Sequence, residues 1–269
     1  MKSLISIFVC CLFFVSSSIA QTLSFPKAIG YTNPTEKSGE KLTEADYLEP
    51  IDFFVQTFRP IGWSTDGKFA YANFSIDHNS DLIMSVFVQD MVSDDIVWED
   101  EYSLEKILTS EGNLDKTIDK ERWEEILDKE LWSEVPEKQL WDALKHQISK
   151  KLEKYKIHQE KKVDFRRGTW HRINGQPYKF DLKTRSTEVT GYMGEIHVDC
   201  RAKGLGEKTI LEGYPVDYKN EHYYYVAGIS KSPYQDRVAV VCHFRKTGFD
   251  NSTDTYCHLI GCNLKNGFK

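Results

Sequence analysis

A chain of 269 residues is long enough for one large domain or two small ones. Its 6 Trp, 14 Tyr and 15 Phe supply material for a sizeable core. A formal net charge of −6 gives no overall attraction to nucleic acid or to an anionic membrane surface, so neither is expected as a partner.

The N-terminus predicts an export signal over residues 1–20. Lys2 is a short positive region, and Leu4 to Val15 is an apolar run. Ser18 and Ala20 are the small residues that favour cleavage after Ala20. The apolar run is too short to span a bilayer comfortably, and no second span follows. The mature protein is therefore expected outside the cytoplasm, secreted or periplasmic, with no membrane span after cleavage. Cys10 and Cys11 leave with the leader. The remaining Cys200, Cys242, Cys257 and Cys262 are even in number, which favours disulfides in an oxidising compartment. Three pairings are open to them. If the C-terminal hairpin turns about Phe249-Asp250, Cys242 faces Cys257 and Cys200 is left for Cys262. The alternative is zinc held by Cys242-His243 and Cys257-His258. It is disfavoured because adjacent strand residues point to opposite faces.

Residues 21–50 contain Pro26, Pro34 and Pro50 and read as an extended lead segment, with a helical turn near Thr43 to Tyr47. Residues 51–269 read as a single α+β domain, mostly antiparallel sheet, with a helical insertion at about 103–160. The domain opens with a turn, Ser64-Thr65-Asp66-Gly67-Lys68, whose Asp-Gly supplies the positive φ that a tight turn needs. A strand from Phe69 to Phe74 follows. An Asx-rich loop, Asp77 to Asp81, reverses the chain into a second strand, Leu82 to Val88, that ends at Asp90. A turn at Ser93-Asp94-Asp95 leads to a third strand, Ile96 to Trp98.

In the insertion, helical spacing is carried by Leu104, Ile107 and Leu108, then by Trp123, Ile126 and Leu127. The longest amphipathic face is Leu140, Trp141, Leu144, Ile148, Leu152 and Tyr155. Pro136 sits near the start of that helix, where proline is tolerated. Trp123, Trp132 and Trp141 recur at even spacing and read as packing anchors, not as a ligand cage. Residues 90–139 carry 17 Asp and Glu against 6 Lys and Arg, and residues 145–185 carry 13 Lys and Arg against 4 Asp and Glu. The acidic half screens the basic half, so complementary solvated faces are expected in preference to a polyanion site.

From residue 161 the chain returns to strands: Val163 to Trp170, Tyr178 to Leu182, Glu188 to Tyr192, Glu195 to Ala202, Thr209 to Pro215 and His222 to Ile229. Asn174-Gly175, Gly204 and Gly206 mark turns. Then Ser232-Pro233-Tyr234-Gln235-Asp236-Arg237 makes a turn again, Val238 to Phe244 a strand, Asp250 to Asp254 an Asx-rich loop, and Thr255 to Leu264 the return. Asp90 aligns with Asn263. The pair of hairpins reads as an internal structural repeat.

Ser64, Asp66, Gly67, Lys68, Ala70 and Asp90 resemble the WD-like repeat of TolB-type β-propellers, with Thr65 in place of the usual Pro. The second copy keeps Ser232, Pro233, Arg237 and Ala239 but lacks the Gly. The chain also resembles a group of secreted bacterial proteins that carry this turn. The resemblance implies blade-like hairpin units. A propeller needs several blades at a period of roughly 40–50 residues, whereas these copies are far apart with helices between. A closed propeller is therefore not expected.

Glu195, His197 and Asp199 alternate along one strand and share a face, the best local cluster for acid–base chemistry or a metal. His222 and His171 are the groups that could complete it. The ordinary explanation is a half-buried strand showing its polar side to water. Asp77, Asn79 and Asp81, and again Asp250, Ser252 and Asp254, place oxygen ligands at alternate positions, as the opening of a calcium loop does. Neither loop has the following Gly or the late Glu, and Asx residues also simply make turns. Asn73 and Asn251 fit the glycosylation pattern, Asn73 less well because it lies in a strand. Gly204 to Thr209 fails the phosphate-loop pattern, and no GxSxG, HExxH or dinucleotide fingerprint occurs. The leading expectation is an exported, non-catalytic binding or structural protein with no cofactor, whose partner is a protein or an envelope component. A metal- or carboxylate-dependent hydrolase using Glu195, His197 and Asp199 is the alternative. A calcium-stabilised structural module is the third.

Overall fold

The computed structural model describes residues 23–29, 54–55, 57–76, 81–109, 134–159, 163–186, 193–217, 221–247 and 253–269. The leader, the turn near Thr43 to Tyr47, the segment holding Trp123 and Trp132, the whole expected strand Glu188 to Tyr192, and Asp77, Asn79, Asp250, Asn251 and Ser252 lie outside these residues. The described chain is α+β and mostly antiparallel, with three open sheets, none closed.

Sheet A is a meander of β2 (Thr57–Ser64), β3 (Lys68–Ile76), β4 (Leu82–Asp90) and β5 (Ile96–Ser103), with β6 (Ile157–Gln159) added beside β2. Sheet C is the meander of β8 (Trp170–Ile173), β9 (Gln176–Ser186), β10 (Met193–Ala202) and β11 (Gly206–Asp217). Sheet B joins β7 (Phe165–Arg167), β12 (Glu221–Lys231), β13 (Arg237–Thr247) and β14 (Thr253–Asn263), and β1 (Phe54–Val55) lies parallel to β14. The helices are α1 (Leu104–Thr109) and α2 (Glu134–Lys154).

Alternation along each strand assigns the layers. On β3, Ala70, Ala72 and Phe74 face α2, while Phe69 and Tyr71 face sheet B. The small Ala70 and Ala72 leave room for Leu140, Trp141, Leu144, Ile148 and Leu152, the helical face legible in the sequence. On β13, Ala239 and Val241 face sheet A, while Val238, Val240, Cys242 and Phe244 face sheet C. The molecule is thus a stack of helix, sheet A, sheet B and sheet C. The last part of the chain forms the layer between the two sheets made earlier. Sheet B is covered on both faces, which is why Val238 to Phe244 is an almost unbroken apolar run.

The expected strand from Val163 to Trp170 is two strands in different sheets. Gly168 adopts φ 88°, and the chain leaves sheet B as β7 and enters sheet C as β8. β5, expected to end at Trp98, runs on five residues to Ser103.

The hairpins that begin at Ser64 and Ser232 are alike where their return strands end. Lys68 pairs with Asp90, and Arg237 with Asn263. Met91 N–H donates to Gly67 O (3.1 Å), and Leu264 N–H to Asp236 O (2.8 Å). The Asp90 carboxylate accepts from Val92 N–H (2.8 Å), and the Asn263 amide oxygen from Lys265 and Asn266 N–H (2.9 and 3.0 Å). Met91 is buried between sheets A and B, and Leu264 between sheets B and C. The two turns also touch, since Gln235 Nε2 donates to Thr65 O at 2.9 Å.

Sheets A and B are stitched at their edge by side chains. Among the described residues, no strand neighbours the outer edge of β14 beyond the two residues of β1. Gln89 Nε2 donates to Leu259 O (3.0 Å), and the Asp94 carboxylate accepts from Gly261 N–H (2.6 Å). Gly261 is required here, because a Cβ would lie 2.0 Å from Met91 O. Trp63 Nε1 reaches Ser230 Oγ at 3.2 Å deeper in the same interface.

His243 is buried on the sheet A side of β13, with Nδ1 2.9 Å from Tyr225 Oη. Burial pushes its imidazole down to about 3 from the usual 6.5. Between these values the unfolded chain binds a proton that the folded chain refuses, so stability falls as pH drops. Each pH unit below 6.5 is expected to remove about 1.4 kcal/mol relative to the His243→Phe variant. Urea midpoints of both proteins at pH 7, 5.5 and 4.5 check this, and parallel curves would refute it.

Candidate interaction face

The inner face of sheet C, with Ile173, Phe180, Ile196, Val198 and Cys200, packs on sheet B. The opposite face follows from the same alternation. It carries Lys179, Asp181, Lys183 and Arg185 on β9, and Glu195, His197, Asp199 and Arg201 on β10. Trp170 joins them at the edge on β8, paired with Lys179. The Glu195, His197 and Asp199 strand therefore shows its polar side to the open face of the outermost layer.

These charges are matched across and along the strands. Lys183 Nζ bonds the Asp199 carboxylate and approaches Glu207 at 3.4 Å. Arg201 reaches Glu207 at 3.0 Å, Lys179 reaches Asp181 at 2.5 Å, and Thr209 Oγ1 donates to Asp199 at 2.8 Å. His197 Nε2 lies 3.6 Å from Glu195. Burial pushes the Asp199 carboxyl up, but hydrogen bonds from Lys183 and Thr209 outweigh it and hold the group below its ordinary range. Asp199 is an ionised partner of Lys183, unlike a general acid, which needs a raised pKa.

His171 does not join this cluster. It lies on the covered side, with Nε2 2.7 Å from Gly168 O and its ring 6.0 Å from Phe180. The His222 side chain lies outside the described residues.

The remaining expected sites divide differently. The Asp81 carboxylate accepts from Ser103 Oγ (2.5 Å) and from Glu105 N–H (2.9 Å), so it caps the start of α1. Asp254 lies in β14, its backbone opposite Lys246 and Phe54. Among the described residues no three His, Cys, Asp or Glu gather as a metal site. Asn73 is buried in β3 between Phe58 and Ser85. In the Ser64 turn, Ser64 Oγ accepts from Lys68 N–H (2.8 Å) and donates to Asp66 (2.5 Å), and Lys68 Nζ pairs with Asp66 (2.6 Å). In the Ser232 turn, Ser232 Oγ accepts from Tyr234 and Gln235 N–H (3.3 Å each), next to an exposed Pro233. Both turns are structural.

Cys242 is opposite His258, and His243 is opposite Cys257. This register is one residue away from a hairpin centred on Phe249-Asp250, and one residue reverses the face. Cys242 enters the core between sheets B and C, and Cys257 packs against the core between sheets A and B. The two thiols are on opposite sides of a sheet and cannot be bridged there. The same alternation puts Cys242 and His258 on one face and His243 and Cys257 on the other, so the four residues of the zinc alternative do not converge.

Trp170 is the residue that sequence reasoning did not single out. It is 67 % exposed, with Lys179 Nζ 5.7 Å from its ring. The available signal was the neighbouring Gly168, which breaks the strand and turns the indole outward. No protein-family model, curated protein or solved structure matches the chain.

Proposed function

We propose that this chain is an exported, non-catalytic binding protein that takes a protein partner on the open face of sheet C, with Trp170 as the anchor. The exposed Trp170 carries the reading. A large aromatic left in water beside Lys179 and a ladder of matched charges has the composition of an interface hot spot. The ion pairs around it hold the surface in one conformation before a partner arrives. The blade-like units, read as TolB-type repeats, supply a rigid stack behind this face. Export is supported by the apolar run Leu4 to Val15 and the small residues Ser18 and Ala20.

A photo-crosslinking residue at position 170, introduced into the exported protein, should capture a partner that a control at Val92 does not. Trp170→Ala should weaken that partner by at least about tenfold with an unchanged melting temperature, as truncation of an anchor does. Hydrolytic turnover that is lost in His197→Ala with the fold intact would overturn this reading in favour of an enzyme.

A further inference from the structure

We propose that Cys200 and Cys262 form a disulfide that staples sheet C to sheet B, while Cys242 and Cys257 remain thiols. Cys200 lies on β10 and Cys262 at the end of β14, and both are buried in the core that the two sheets share. Both are thiols in this structure, and Cys200 is paired on β11 with Lys208, whose Nζ bonds the carbonyl of Asn263 next to Cys262. The other two cysteines are kept apart by a whole sheet, which excludes a Cys242–Cys257 bridge.

The surroundings suit a covalent link at this seam. Just past Cys262 the chain crosses from sheet B to sheet C. Leu264 O accepts from Tyr178 Oη at 2.9 Å, and Lys269 exchanges backbone hydrogen bonds with Glu207. Lys208 Nζ bonds Asn263 O and, at 2.8 Å, Asn266 O. In the closed stack the Cys200 thiol and the Lys208 ammonium beside Cys262 favour its thiolate. Burial pushes Cys242 up to about 12 and leaves it inert.

The reaction is thiol–disulfide exchange, with a low-molecular-weight or protein disulfide as oxidant. The Cys262 thiolate attacks one sulfur of that disulfide, forms a mixed disulfide and releases the other half as a thiolate. The Cys200 thiolate then attacks the Cys262 sulfur and expels the second half. The two protein thiols lose two electrons and two protons, and the oxidant becomes two thiols. Both sulfurs are inaccessible in the folded stack, so the exchange precedes closure of sheets B and C.

The proposal leans on export only for the oxidising compartment, so its test is run in vitro. The unfolded chain is refolded in a glutathione redox buffer and then digested without reduction. A linked Cys200–Cys262 peptide pair is expected, with Cys242 and Cys257 open to alkylation after denaturation. Reduction, or Cys262→Ser, should lower the melting temperature by about 10 °C. Alkylation of all four thiols, or a link that uses Cys242 or Cys257, would overturn it. The peptide map uses the unmodified chain and stands even if Cys262→Ser does not fold. A leader found uncleaved would count against export and leave the pairing untouched.

Discussion

A chain ending at residue 252 is expected to give no cooperatively folded protein. It loses β14 and the tail, and with them side chains that serve both faces of the central layer. Leu259 belongs to the core shared with sheet A, and Ile260, Cys262 and Leu264 to the core shared with sheet C. A fully buried Leu or Ile is worth about 1.5–3 kcal/mol. Three of them approach the whole stability of an ordinary domain, about 5–15 kcal/mol. The truncation also strips β13 of its partner from Arg237 to Thr247 and uncovers Gln89 and Asp94, whose side chains bond to β14. Thermal melts followed by near-ultraviolet circular dichroism decide the matter. A transition within a few degrees of the full chain would show that sheets A and C do not depend on sheet B.

Replacing Arg59 by alanine should lower stability by about 3–5 kcal/mol, the usual effect of leaving a buried charge without its partner. Arg59 sits on β2 with its side chain 1 % exposed. Its Nε and Nη2 donate to the Glu137 carboxylate (2.9 and 2.5 Å), and Nη1 to Pro26 O (2.7 Å). The guanidinium also lies over the Phe25 ring at 4.1 Å. One side chain thus pins the first turn of α2 and the segment 23–29 onto sheet A. Lysine should not restore stability, since it cannot make the forked contact to Glu137 while reaching Pro26. The double variant Arg59→Met, Glu137→Leu should recover most of the loss, because apolar groups of similar volume often replace a buried ion pair at no net loss. Urea midpoints of the variants test this, and a loss below about 1 kcal/mol for alanine would refute it.

Several elements were legible from residue order because they depend on near neighbours. The Asp66-Gly67 turn, the alternation of Phe69 to Phe74 and the apolar stripe of α2 are examples. So is the shared face of Glu195, His197 and Asp199, which needs only the two-residue period of a strand. The capping role of Asp81 was not legible, because its partners Ser103 and Glu105 are distant in the chain and residue order along a loop does not reveal them. Trp170 was missed because its exposure depends on a break at Gly168 between two sheets.

What the residue order determined by itself is therefore local: turn chemistry, strand and helix period, and the likeness of the Ser64 and Ser232 hairpins. Tertiary structure alone decided the stacking order, since Val238 to Phe244 would be equally apolar between any two layers. It also decided the pairing of β13 with β14 to the single residue, and so which thiols can meet. Facing changes with every one-residue slip, and only packing against sheets A and C on both sides selects one register.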